Sequence, residues 1–216
     1  ELKIFFKMKG FGDNKKTNKK KFNELKIKQF NNQIMNKAFK NHSEGNISEA
    51  KKCYQYLIDQ GLKDERVFNN LGIILFNEGN LKKARLYFTK VIEVNPLNVA
   101  AYSNLGGILK ELSELDEAEL CLRKAIEINP KNEVYHNNLG GILKDLGKLK
   151  EAELFLRKAI EINPNNVYAN FDLGGILKDL GKLKEAALFT RKAIELNSEF
   201  SEAYYCLLYT SDAADE

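Results

Sequence analysis

Two rows of polar side chains recur along the chain at a fixed spacing of 34 residues. The first row is Asn70, Asn104, Asn138 and Asp172, and the second is Lys110, Lys144 and Lys178. An Asn side chain carries both a donor and an acceptor, and each residue of an extended peptide offers the same two groups on its backbone. A row of Asn can therefore hold a peptide whatever its sequence. The lysines would add one cation per interval and could attract an acidic partner.

Both rows have a second, structural interpretation. Asn is unfavourable inside a helix, so a role in capping or bridging adjacent helices would also explain why it recurs. The lysines can equally form a solvated stripe paired with nearby acids. Those acids are Glu111, Asp145 and Asp179. The two interpretations differ in where the rows lie in the fold, so the secondary-structure elements that carry them must be identified.

The spacing of the rows belongs to an internal repeat. The octapeptide Gly-Gly-Ile-Leu-Lys-Asp-Leu-Gly occupies residues 140–147 and 174–181, and a near copy lies at 106–113. A unit of this length cannot bury its own apolar face, so it must stack on copies of itself, as in a solenoid. Full units are predicted at 65–98, 99–132, 133–166 and 167–200, with a decayed unit at 31–64 and a sixth beginning at 201.

Each unit has the pattern of two amphipathic helices. Apolar residues recur at helical spacing, as in Leu139, Ile142, Leu143 and Leu146. The glycines predicted to end the first helix with a positive φ are Gly79, Gly147 and Gly181. An Asn-Pro pair then stops the second helix in three units. The fold class predicted from this pattern is all-α.

The residues at fixed offsets resemble the tetratricopeptide repeat. One unit carries the pattern on Tyr102, Leu105, Gly106, Ala118, Leu122, Ala125 and Pro130. The resemblance covers about residues 31–205 and implies a right-handed superhelical solenoid of antiparallel helix pairs. In the unit at 31–64, Lys37 and Ala38 replace the Leu-Gly pair, so this unit is predicted to be an atypical terminal cap.

The resemblance also implies where the two polar rows lie. First helices of such arrays line a concave groove, and the Asn row is similar to the asparagine ladder in the repeats of O-linked N-acetylglucosamine transferases. The carboxylate clamp of some family members is not reproduced, because its basic residue at the fifth position is replaced. The residues at that position are Asn69, Ser103, Asn137 and Phe171.

These observations predict a protein–protein interaction scaffold that binds an extended protein segment and catalyses nothing itself. Two acid–base pairs, Glu119 with Arg123 and Glu153 with Arg157, are explained as solvated pairs one helical turn apart. A second hypothesis is that the chain is the substrate-presenting amino-terminal region of a larger glycosyltransferase or sulfotransferase. Its catalytic domain would then follow Tyr205.

The two ends of the chain depart from the repeat. Residues 1–30 are rich in Lys and Asn and are predicted to form a disordered basic leader, with Met8 as a native start and 1–7 not native. A nucleic-acid-binding arm is the less favoured alternative. Residues 206–216 resemble the translation of a sequencing-library adapter.

An array cut at Tyr205 would leave an apolar end face uncovered, and self-association through that face is expected. The residues of the face are Leu183, Ala186, Leu188, Phe189 and Ile194.

Metal, cofactor and membrane roles find no support in the sequence. Cys53 and Cys121 occupy the same place in units that are not adjacent, so a disulfide between them is not expected. His42 and His136 have no metal-ligand spacing to other residues, and no cofactor is predicted. No apolar run approaches the length of a membrane span, so the expected location is the cytoplasm.

Overall fold

A computed structural model describes the backbone of residues 11–211 and the side chains of residues 25–207. Every regular element in this range is an α-helix. The helices are α1 Phe11–Ser43, α2 Ile47–Asp59, α3 Glu65–Asn77, α4 Leu81–Val94, α5 Val99–Glu111, α6 Leu115–Ile128, α7 Glu133–Asp145, α8 Leu149–Ile162, α9 Val167–Asp179, α10 Leu183–Leu196 and α11 Ser201–Ser211. Successive helices pack as antiparallel pairs, and each pair stacks on the next. The predicted all-α solenoid is confirmed.

Local sequence signals set the ends of the first helices. The side chains of Asn98, Asn132 and Asn166 accept a backbone N–H from the first turn of α5, α7 and α9. This capping satisfies a donor that the helix itself leaves free. At the other end, the predicted glycines have φ of 74°, 72° and 75° after α3, α7 and α9. The predicted helix-ending role of these three glycines is therefore confirmed.

Ser113 occupies the same turn after α5 with φ of 61°, where the other units have Gly. A left-handed conformation costs a residue with a Cβ roughly 1–2 kcal/mol, and Gly avoids this cost. The greater freedom of Gly in the unfolded chain offsets about 0.4–1 kcal/mol of the gain. We expect Ser113→Gly to raise the free energy of unfolding by about 0.5–1 kcal/mol in chemical denaturation. Gly147→Ser is the reciprocal control and should lower it; a loss of stability with Ser113→Gly would contradict the assignment.

In each full unit a glycine of the first helix packs against a side chain of the second helix. Gly72 faces Phe88, Gly106 faces Leu122, Gly140 faces Leu156 and Gly174 faces Thr190. Phe88, Leu122, Leu156 and Thr190 are all buried. The missing side chain on one helix thus makes room for the partner helix, which fits the close packing of protein interiors.

Glu119 and Glu153 are not the solvated surface carboxylates that the sequence predicted. Their side chains are only 11% and 14% exposed. Glu119 accepts from Arg123 within α6, as expected, but also from Lys148 of the following unit at 2.7 Å. These hydrogen bonds lower the pKa of the Glu119 carboxyl, with that from Lys148 contributing most. Each carboxylate therefore joins two units, because Glu153 repeats the arrangement with Lys182.

The amino-terminal helix is longer than the sequence predicted. Residues 11–30 were expected to belong to a disordered leader, but α1 runs from Phe11 to Ser43. No Pro or Gly interrupts the chain between Asp13 and Glu44, so nothing local stops the helix from continuing towards the amino terminus. Leu25, Ile27 and Phe30 remain exposed on it. The predicted start at Met8 and the rest of the leader lie outside the described residues.

The carboxy-terminal face is not open in the way the sequence predicted. Helix α11 packs against α10, and Ala203 on it is fully buried. Ala186 is buried, and Leu183, Phe189 and Ile194 are half-buried. Leu188 is exposed, but so are the equivalent residues of the earlier units. Those residues are Leu86, Leu120 and Leu154. Leu188 thus belongs to a stripe that follows the second helices, and self-association through this end stays a prediction.

The residues suspected to derive from an adapter fall partly within this terminal helix. Residues 206–211 continue α11, while 212–216 lie outside the described part of the chain.

Candidate groove and its polar lining

The first helices form the inner side of the array. Helix α5 contacts α7 directly, and α7 contacts α9, although each pair is separated in sequence by a complete second helix. Between residues 25 and 207 the second helices show no comparable contact with one another. Helices on the inside of a curve lie closer together than those on the outside, so the first helices line the concave face.

A cleft of about 660 Å³ opens on this face between α5, α7 and α9. Among the residues that line it are three from the predicted polar rows: Lys110, Asn138 and Asp172. Gly107 and Gly141 also line it, and open space lies above Gly107 because it has no side chain. The structure therefore brings part of the predicted site together on one surface.

Asn70 has a partner inside the protein, unlike the next two members of the Asn row. Its side-chain N–H donates to the Tyr54 hydroxyl at 3.1 Å, and the same hydroxyl lies 3.3 Å from His42 Nδ1. Tyr54 is fully buried, and this burial raises the pKa of its hydroxyl. The contact ties α3 to α2, which favours the helix-bridging interpretation at this position.

Asn104 and Asn138 have no hydrogen-bond partner within residues 25–207. Asn104 is half-buried, and Asn138 is exposed in the cleft. The Asn138 amide is therefore accessible in the cleft. Asn70 thus joins two helices, whereas Asn104 and Asn138 do not, and of these two Asn138 lines the cleft.

The lysines of the second row lie across the boundaries between units. Lys110 Nζ is 3.1 Å from Asp145 of the following unit. It also lies over the bare backbone of the next unit, 3.5 Å from where a Cβ at Gly141 would be. Lys144 has the same position over Gly175, whereas Lys178 is exposed and does not line the cleft. Asp145 was one of the acids expected to pair with this row, but its partner is the Lys of the preceding unit.

Asp172 stands where the earlier units have Asn, and its carboxyl is half-buried. Burial raises the pKa of this carboxyl, while the charges of Lys144 and Lys110 and a hydrogen bond from Asn137 act in the opposite direction. Asp145 nearby adds to the increase. Loss of hydration thus outweighs the stabilisation that the surrounding groups give to the ionised form.

An aromatic cluster at the carboxy-terminal end of the cleft was missed by the sequence analysis. Tyr168 lines the cleft with 67% of its surface exposed. Its ring meets the edge of Phe200 at 5.9 Å between centroids, and Phe171 lies 4.7 Å from the same ring. The sequence does show Phe171 and Phe200 at two repeat positions where the earlier units have polar residues. It does not show that their rings are in contact, because that depends on how the units stack.

Tetratricopeptide repeat families match residues 65–98, 99–132, 134–166 and 155–187. Together these stretches span more than half of the chain. The chain is a tetratricopeptide repeat protein. No curated protein sequence matches it.

Solved tetratricopeptide repeat structures share the fold. MamA from Desulfovibrio magneticus RS-1 is 20% identical, with a TM-score of 0.72 over 79% of this chain and 97% of that one. YrrB, described as a TPR protein with an unusual peptide-binding site, is 24% identical, with a TM-score of 0.64 over 75% and 84% of the two chains. At these identities the similarity shows the fold alone. The specific similarity to O-linked N-acetylglucosamine transferases stays a prediction.

The cysteines and histidines have structural surroundings. Cys53 and Cys121 are free thiols, and burial raises the pKa of Cys121 to about 11. His136 is buried, and its Nε2 lies 2.9 Å from the Pro130 carbonyl oxygen. Its ring stacks on Phe155. Residues 25–207 contain no group of three or more side chains arranged to hold a metal ion. None of the helices in the part of the chain searched is long and apolar enough to cross a membrane.

Proposed function

We propose that this tetratricopeptide repeat protein is a scaffold that binds an extended protein segment along its concave groove. The strongest support comes from the side-chain amides of Asn104 and Asn138. Neither amide forms a hydrogen bond with another residue within 25–207. Both lie on consecutive first helices, one unit apart. A peptide lying across α5 and α7 could bond to each amide through its own backbone.

The glycines of the groove support a close approach by such a segment. An added Cβ at Gly107 would meet no atom within 4 Å, so open space lies above this position. Gly in a helix costs about 1 kcal/mol relative to Ala, and the cost recurs at Gly107, Gly141 and Gly175. Close approach of a peptide backbone at Gly107 would offset this cost, whereas Gly141 and Gly175 lie beneath the side chains of Lys110 and Lys144. The peptide-binding site named for YrrB shows that a relative of this fold can bind a peptide.

The proposed role is non-enzymatic, and the expected partner is a protein or peptide rather than nucleic acid or membrane. The polar groups of the cleft are amides and charged side chains, which suit recognition. The presentation of substrates to an attached transferase domain, and a cytoplasmic location, both stay predictions.

Filling the groove without disturbing the fold tests the proposal. Gly107→Leu should place an apolar side chain in the open space and, as a better helix former, keep the protein folded. Peptides selected from a random library on the wild-type protein should bind this variant at least tenfold more weakly in calorimetry. Leu154→Gln, on the exposed outer stripe, is the control and should bind normally. The opposite pattern would place peptide binding on the outer face and refute the groove.

A further inference from the structure

Asp172 lines the groove without forming an ion pair within residues 25–207. Three consecutive units each supply a Lys followed at once by an acid at the end of the first helix. These pairs are Lys110 with Glu111, Lys144 with Asp145, and Lys178 with Asp179. The formal charges of these three pairs cancel, so Asp172 leaves the set with one excess negative charge, where the other units have a neutral Asn. The groove is therefore locally acidic although the whole chain carries a formal charge of +4.

The contacts around Asp172 leave room for an incoming cation. The ammonium of Lys110, which lines the same cleft, is already held by Asp145 at 3.1 Å. Lys144 and Lys110 lower the pKa of Asp172 through their charges, but neither forms an ion pair with it within residues 25–207. A carboxylate that has lost hydration gains from a new positive partner more than a solvated one does.

An exposed aromatic ring lines the cleft with Asp172. Tyr168 is mostly exposed, and its ring makes an edge contact with Phe200. An aromatic face attracts Lys and Arg side chains by cation–π interaction, and a carboxylate supplies the matching charge. Asn138 and Asn166 complete the polar lining of this end of the cleft. The volume of about 660 Å³ accommodates a long side chain together with the backbone that carries it.

We propose that this end of the groove is a specificity pocket for one Lys or Arg side chain of the bound segment, held between Asp172 and the ring of Tyr168. The inference rests on the proposed function, because the segment must first lie in the groove. The amides of Asn104 and Asn138 hold its backbone without regard to sequence. The pocket then selects segments that carry a basic residue at the matching position.

The test compares three libraries of acetylated and amidated nonapeptides with Lys, norleucine or Glu fixed at the central position. Norleucine keeps the aliphatic chain of Lys without its charge, and Glu probes recognition by the lysine row instead. In fluorescence polarisation, the wild-type protein should bind the Lys library at least tenfold more tightly than the norleucine library, and the Glu library most weakly.

Two substitutions with the same change in charge locate the effect. Asp172→Asn restores the residue type of the other units, so the protein should stay folded and bind the Lys and norleucine libraries equally. Asp179→Asn removes an exposed acid that does not line the cleft and should keep the preference for Lys. Tyr168→Leu should weaken the preference several-fold, while Tyr168→Phe should retain it.

The outcomes separate the two proposals. Equal binding of Lys and norleucine peptides by the wild-type protein, a preference for Glu, or a Lys preference that survives Asp172→Asn would refute the pocket and leave the groove intact. A preference lost equally with Asp172→Asn and Asp179→Asn would also refute it, because general electrostatic attraction would then explain the effect. Failure of every library to bind would refute the proposed function and the pocket with it.

Discussion

Gly140→Ala should lower the free energy of unfolding by about 1–3 kcal/mol, although Ala is the better helix former. An added Cβ would lie 2.6 Å from Leu156 Cγ and 2.8 Å from Cδ2. Leu156 is fully buried in α8, so its side chain has no free space to move into. Overpacking at this contact should therefore outweigh the gain of about 1 kcal/mol in helix propensity.

The neighbouring glycine supplies a matched control for this effect. At Gly141 the only atom within 4 Å of an added Cβ is Lys110 Nζ at 3.5 Å, the end of a flexible side chain. Gly141→Ala should therefore raise stability by up to about 1 kcal/mol. Urea denaturation followed by circular dichroism measures both variants. A Gly140→Ala protein as stable as Gly141→Ala would contradict the packing of α7 on α8 described above.

The fold could be predicted from the sequence because its determinants are local and are repeated. The turn at Gly147 and the break at Pro164 each follow from residues that are close in the chain. Four concordant units then make the pattern unambiguous, and stacking of units follows from their length. The unexpected length of α1 lies outside the full units, where no copy exists to reveal the pattern.

The polar contacts between units could not be predicted in the same way. Glu119 looks like half of a surface pair within one helix, and only stacking brings Lys148 to it from the next unit. Asn70 looks like Asn104 and Asn138, but its partner Tyr54 belongs to the divergent unit at 31–64. A row that is uniform in sequence is therefore not uniform in structure.

Asn104 and Asn138 should contribute to peptide binding but not to the stability of the fold. Replacing Asn104 and Asn138 together with Ala should leave the fold intact and slightly raise helicity, because neither side chain has a hydrogen-bond partner within residues 25–207. Two amides that each make two hydrogen bonds to a bound peptide, at about 0.5–1.5 kcal/mol per bond, should cost at least about 2 kcal/mol of binding energy when removed. Calorimetry with a library-selected peptide measures this loss, and thermal denaturation measures the fold.

Asn70→Ala provides the contrast, since it removes a donor to the buried Tyr54 hydroxyl. This variant should lose about 1 kcal/mol of stability and bind the peptide with little change, because its amide is already used within the protein. Stability and binding should therefore separate between the two proteins. A double variant that melts markedly earlier than the wild type would make Asn104 and Asn138 structural residues like Asn70. One that folds normally and binds with full affinity would move recognition to the charged groups of the groove, of which Lys110 and Asp172 line the cleft.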